Sequence, residues 1–372
     1  MADMEMQSAS TSDGNFSYIF FDYSDSFANS TDIKMMHQPN IALAIVFGLT
    51  TLSIVVSNIM TLTVLHRVPN CFEEVPRIIF QTLAVTDLWT GLLCSMLSCL
   101  FSVAPHLQNA LTCSVRTMAC TTCINLSALV MAFATVDRYI AVTKPLRYPS
   151  LMTTKRTKIV IAVLASIAAG NGLLTNIGAD YSSNVCVSDF TAVGIGISFR
   201  PALLVILLIH YSSILVAAIA NFKVIRIALR HSNTIAEQYL AARAFREPAN
   251  KSEAADPLPF SDENKTVIKR SIWTVIMATV MFYIAVLPWN IMTSLHFAKH
   301  VKIPPPLRMA AALLIISNSW WNVIIYSLMN RTFRRAGRNM LKRCCRSRTN
   351  FDTGTDSEMD HYAVEHRDGE SL

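Results

Sequence analysis

Asp87 stands in the middle of a long apolar stretch, where the chemistry open to a carboxylate is narrow. An acid surrounded by hydrocarbon either takes up a proton or recruits a cation. Asn58, Ser127, Asn318, Ser319 and Asn322 lie in other apolar stretches and offer amide and hydroxyl oxygens, which suit a hard cation such as sodium. The same groups can instead form a hydrogen-bonded packing cluster, the commoner use of polar residues between spans. A second group, Asp137-Arg138-Tyr139, closes another apolar stretch and precedes Pro145-Leu146-Arg147-Tyr148. An arginine beside an aspartate can stay paired or be released to a partner, which is the chemistry of a switch. It can also simply snorkel to lipid headgroups. No catalytic constellation and no metal-ligand pattern is read from the chain.

These residues need elements to carry them, and composition says which kind. Of 372 residues, 52% are hydrophobic and 15% charged, with a mean hydropathy of +0.38. Soluble domains carry about 25% charge, so a soluble enzyme, a nucleic-acid binder and a disordered chain are all disfavoured. Seven stretches are long and apolar enough to span a bilayer, near 41–65, 76–101, 113–140, 158–178, 191–221, 268–296 and 307–329. None alternates as a barrel strand would. The expected fold is an all-α membrane protein, a bundle of seven transmembrane helices.

Lysine and arginine placement sets the expected orientation. Residues 1–40 hold six acids and one base, whereas the segments after the third, fifth and seventh spans are rich in bases. The positive-inside rule puts the N-terminus outside and the C-terminus in the cytoplasm. The net charge of +7 is mostly this topology signal and needs no nucleic-acid partner. Residues 1–40 then form an extracellular tail, without a signal-peptide pattern, and residues 41–329 the seven-helix domain. Residues 330–346 read as an amphipathic helix on the membrane surface followed by a basic segment containing Cys344 and Cys345, candidates for palmitoylation. Residues 347–372 read as a disordered acidic cytoplasmic tail open to phosphorylation by kinases. Asn15 and Asn29 begin external glycosylation sequons. Cys113 and Cys186 are the two cysteines clearly placed on the oxidising side and fit a loop-to-helix disulfide.

Taken together, Asn58, Leu83-Ala84-Val85-Thr86-Asp87-Leu88, Cys113, Asp137-Arg138-Tyr139, Cys186, Tyr211, Pro288 and Asn322…Tyr326 resemble the rhodopsin-like (class A) G-protein-coupled receptors. The resemblance runs from about residue 41 to residue 345 and leaves the subfamily unresolved. It implies that Arg138 leaves Asp137 on activation and faces a heterotrimeric G protein, with Tyr211 and Tyr326 moving in beneath it. It also implies that Asp87, Ser127, Asn318 and Asn322 form an allosteric sodium pocket, with Asn58 and Ser319 as polar packing. The setting is the plasma membrane, with receptor kinases, arrestin and membrane lipid as further partners and no enzymatic activity of the chain itself.

The chain departs from that pattern in places. Val286 replaces the tryptophan two residues before Pro288, and Val323 replaces the proline after Asn322. Ile268 occupies the sixth-helix position of the acid that would lock Arg138, and Pro201 is two residues off its expected spacing to Tyr211. Appreciable basal activity follows as an expectation. The ligand is not named by the sequence. Cys120 stands where amine receptors carry an aspartate, and the seventh span has no lysine, which argues against an amine or a retinal. Arg200, Trp289, Asn290 and Thr293 are further candidates for the ligand pocket. An ion-coupled secondary transporter using Asp87, or a signalling-silent receptor relative, are the alternatives.

Overall fold

A helix whose surface is apolar all round has no face for water, and in lipid its backbone must satisfy itself internally. The long apolar stretches are accordingly α-helical in the computed structural model, which describes residues 40–68, 72–177, 196–246, 262–299, 304–329 and 333–339. In chain order they are α1 Ile41–Arg67, α2 Glu74–Val103, α3 Ala110–Thr143, α4 Thr154–Ile177, α5 Gly196–Arg246, α6 Asp262–Lys299 and α7 Pro305–Met329. Each contains a window long and apolar enough to cross a membrane. A single helical turn, Tyr148–Leu151, joins α3 to α4, and a short helix over 333–339, α8, follows α7.

Local chemistry fixes the helix starts. The Asn40 side chain accepts from the Leu43 amide at 2.8 Å, capping α1. Its own amide donates to the Ser102 carbonyl at 2.7 Å, which pins that end of α1 to the end of α2. Asn109 and Thr112 form a reciprocal capping box at the start of α3. Pro76 sits in the first turn of α2, where a missing N–H costs no helical bond.

α3 is the central strut. Its membrane window is 72% buried, against 22% for those of α1 and α4, whose outer faces carry residues such as Leu49, Leu52, Val56, Ile159 and Val163. Glycine allows the closest approach between neighbours. A Cβ on Gly172 of α4 would collide with Thr122 of α3 and stand 2.9 Å from the Met118 carbonyl. A Cβ on Gly91 would stand 2.8 Å from Ile54 of α1. Gly91 belongs to a π-helical stretch, Thr90–Ser95, inside α2.

α5 runs far past the end of its expected span. At 1.5 Å per residue the 51 residues of α5 reach about 77 Å, far beyond a hydrocarbon core of about 30 Å. Past the apolar window the sequence Ala236-Glu237-Gln238-Tyr239-Leu240-Ala241-Ala242 still favours helix, and α5 is described as far as Arg246. Hydropathy finds the part in lipid, whereas helix propensity carries the element further.

Candidate switch and polar-core sites

At one end of the bundle Arg138 is 4% exposed, on the last turns of α3. Its Nε donates to Asp137 Oδ2 at 2.8 Å and one terminal nitrogen lies 2.7 Å from the same oxygen. That nitrogen also donates to the Tyr148 hydroxyl at 3.0 Å and to Glu73 Oε2 at 3.3 Å. The Tyr148 hydroxyl in turn donates to Asp137 Oδ1 at 2.9 Å. The guanidinium also lies 5.8 Å from the centroid of the Tyr148 ring. Burial pushes the Tyr148 hydroxyl well above its ordinary range, with Arg138 opposing and Asp137 reinforcing the shift. Tyr148 therefore keeps the proton it donates. Glu73 and Tyr148 are the members that the sequence did not single out as partners of Arg138. Beside this network Lys223 lies 5.5 Å from the Tyr139 ring centroid, and Val224 packs with Ile276 against Tyr139 and Val142.

Tyr326, near the end of α7, is 1% exposed and surrounded by aromatic rings. Its ring centroid is 4.7 Å from that of Phe80, 5.8 Å from Phe333 of α8 and 6.1 Å from Phe72. Arg334 donates back to the Leu328 carbonyl at 3.3 Å, closing the end of α7. Tyr211 is not in this region. Its hydroxyl pairs with Ser294 at 2.9 Å, six residues beyond Pro288, and its side chain is 40% exposed. The expected role of Tyr211 beneath Arg138 is therefore not what the fold provides, because α5 sits in a register that places Val224 at the level of Tyr139.

Midway along the bundle, Asn322 Nδ2 donates to Asp87 Oδ2 at 3.0 Å. The Ser319 hydroxyl also bonds to that carboxylate. Asn58 Nδ2 donates to the Ser319 carbonyl at 2.9 Å and to the Ile54 carbonyl at 2.9 Å. The expected polar cluster is thus assembled from α1, α2 and α7, with Ser127 of α3 and Asn318 of α7 also buried. One carboxylate among hydroxyl and amide groups is a donor set that fits a hard monovalent cation.

Towards the opposite end the structure adds links that the sequence did not show. Cys120 is bonded to Cys94 of α2, with 5.5 Å between their Cα atoms, rather than standing as a free pocket residue. Cys94 is correspondingly not the small buried hydrophobe it resembles in sequence, while Cys99 and Cys123 are free thiols. Cys113 is also disulfide-bonded. Cys186, Asn15, Asn29, Cys344 and Cys345 lie outside the described residues, and the side chain of Arg200 does too. Arg116, 7% exposed, donates from Nε to Ser98 at 3.1 Å, so a second arginine is built into this half of the bundle. Asn290 is fully buried and its Oδ1 lies 2.8 Å from His210 Nδ1 of α5. Trp289 and Thr293 are buried beside it on α6.

The profile described as "7 transmembrane receptor (rhodopsin family)" matches residues 44–326. The chain is 27% identical over 322 residues to "Probable G-protein coupled receptor 21" of Mus musculus, covering 84% of this chain and 86% of that protein. It is 26% identical to "G-protein coupled receptor 52" of Bos taurus, over 82% of this chain and 81% of the relative. A more distant relative is "Adenosine receptor A2b" of Mus musculus, 27% identical over 59% of this chain and 66% of its own length. The seven helices, the buried Asp137–Arg138 pair and the match over residues 44–326 agree, and the chain belongs to the rhodopsin family of seven-transmembrane receptors.

Proposed function

We propose that this G-protein-coupled receptor resides in the plasma membrane with residue 40 facing outward, senses an extracellular ligand, and meets its heterotrimeric G protein at the Arg138 end. The carrying observation is the buried Asp137–Arg138–Tyr148 network at one end of the bundle. A charge held in place by bonds from neighbouring elements costs little to keep and can be exchanged for bonds to a partner. Excess Lys and Arg in the segments at that end favour its cytoplasmic placement. Receptor kinases and arrestin would act on the acidic tail, palmitate on Cys344 and Cys345, and glycans on Asn15 and Asn29.

Sodium is the cofactor this reading admits. Asp87, Ser127, Ser319, Asn318 and Asn322 would hold it, and the ion would supply the positive charge that stabilises an ionised Asp87. Family membership does not favour the transport alternative. The test is expression in cells lacking other receptors, reading each G-protein class against Arg138→Ala at matched surface level. Basal or ligand-driven activation lost in the variant supports the reading. Silence in every class, with arrestin recruitment also absent, would leave a signalling-silent relative.

A further inference from the structure

Two adjacent residues at the start of α2 touch both of the side chains that must move for coupling. We infer that Phe72 and Glu73 form a latch on the closed state, in which Glu73 is a positioning residue for Arg138 and Phe72 one for Tyr326. The inference rests on the coupling function proposed above. Glu73 is the N-cap of α2, yet its side chain makes no capping bond to its own helix. Its carboxylate turns instead to Arg138 at 3.3 Å. Asp137 lies on the same helix as Arg138, so the pair they form cannot tie α3 to α2. Glu73 does tie them, from α2, whereas Ile268 on α6 carries no charge to offer.

Phe72 continues the same contact surface. Its ring is 9% exposed, 4.8 Å from Phe80 and 6.1 Å from Tyr326, with Phe80 lying 4.7 Å from Tyr326. The segment before α2 therefore grips α3 through a charge and α7 through stacked rings. Opening one contact strains the other, because both belong to consecutive residues of one chain. The latch is also weak by design of its parts. The Glu73 side chain is 62% exposed while that of Arg138 is 5% exposed, so water and salt screen the pair. A weak inter-helix bond to a buried arginine limits basal activity without abolishing it, and a partner's oxygen atoms can replace it.

The test uses the full-length receptor, purified and reconstituted with a G protein, in five forms: wild type, Glu73→Gln, Glu73→Asp, Glu74→Gln and Arg138→Ala. Glu74 is exposed in the same first turn, so its variant loses the same favourable charge at the helix start without touching Arg138. Basal nucleotide exchange and amide hydrogen exchange over residues 137–148 are both measured. We expect Glu73→Gln to raise basal exchange about 1.5- to fivefold, the range of an exposed ion pair, and to speed amide exchange. Glu73→Asp, one methylene shorter, gives a smaller rise, and Glu74→Gln matches wild type. If Glu73→Gln changes neither readout, or raises activity with unchanged amide exchange, the latch is wrong. Faster amide exchange with no nucleotide exchange in any form keeps the latch and removes the coupling reading instead.

Discussion

Asp87 bonds to Asn322 at 3.0 Å and to the Ser319 hydroxyl, and both groups come from one turn of α7. If a cation completes this set, purified receptor is thermally more stable in sodium than in choline, and Asp87→Asn abolishes that difference. A sodium effect that survives the substitution assigns the ion elsewhere. This cluster was legible in the sequence because a carboxylate or an amide in a long apolar stretch is costly and therefore conspicuous. Glu73 was not, because an acid at the border of a span is unremarkable until its distance to Arg138 is known. Tyr211 shows the same limit from the other side. An aromatic residue in an apolar helix carries no mark of its depth, and only the packing of α5 on α6 places it beside Ser294.

Among the elements, α3 owes its central position to close contacts that small residues permit. Gly172→Val overpacks the α3–α4 contact, where the Met118 carbonyl would stand 2.9 Å from a Cβ, and should cost about 1–3 kcal/mol of stability. Gly170 has nothing within 4 Å of its Cβ position, so Gly170→Ala at the same end of α4 is the tolerated control in a thermal melt. Valine tolerated at 172 without loss of melting temperature would contradict the packing described. α2 and α3 are joined by Cys94–Cys120 across 26 residues of chain. Non-reducing peptide mapping should recover this link, and recovery of both as free alkylated thiols would contradict it. The seven helices were readable from hydropathy alone. This link was not, since a half-cystine in a span has the composition of a small buried hydrophobe. The long extension of α5 escaped for a related reason: hydropathy ends with the lipid, and the helix does not.

At the scale of the molecule, the bundle presents two differently built ends. Towards one lie disulfides, Arg116 on Ser98 and the His210–Asn290 pair, which fix helices to each other. At the other lie Arg138, Glu73, Tyr148 and Tyr326, held by hydrogen bonds, screened charge and ring stacking that can exchange partners. A covalently braced end and an exchangeable end suit the proposed transmission from an outer ligand to an inner partner. The proposed function makes Arg138 the contact through which this receptor acts on a G protein. The most direct measurement is nucleotide exchange on purified heterotrimers by reconstituted receptor, wild type against Arg138→Ala at equal folded amount. Exchange above the receptor-free rate is expected for at least one G-protein class, together with its loss in the variant. Equal exchange by wild type and variant would contradict it.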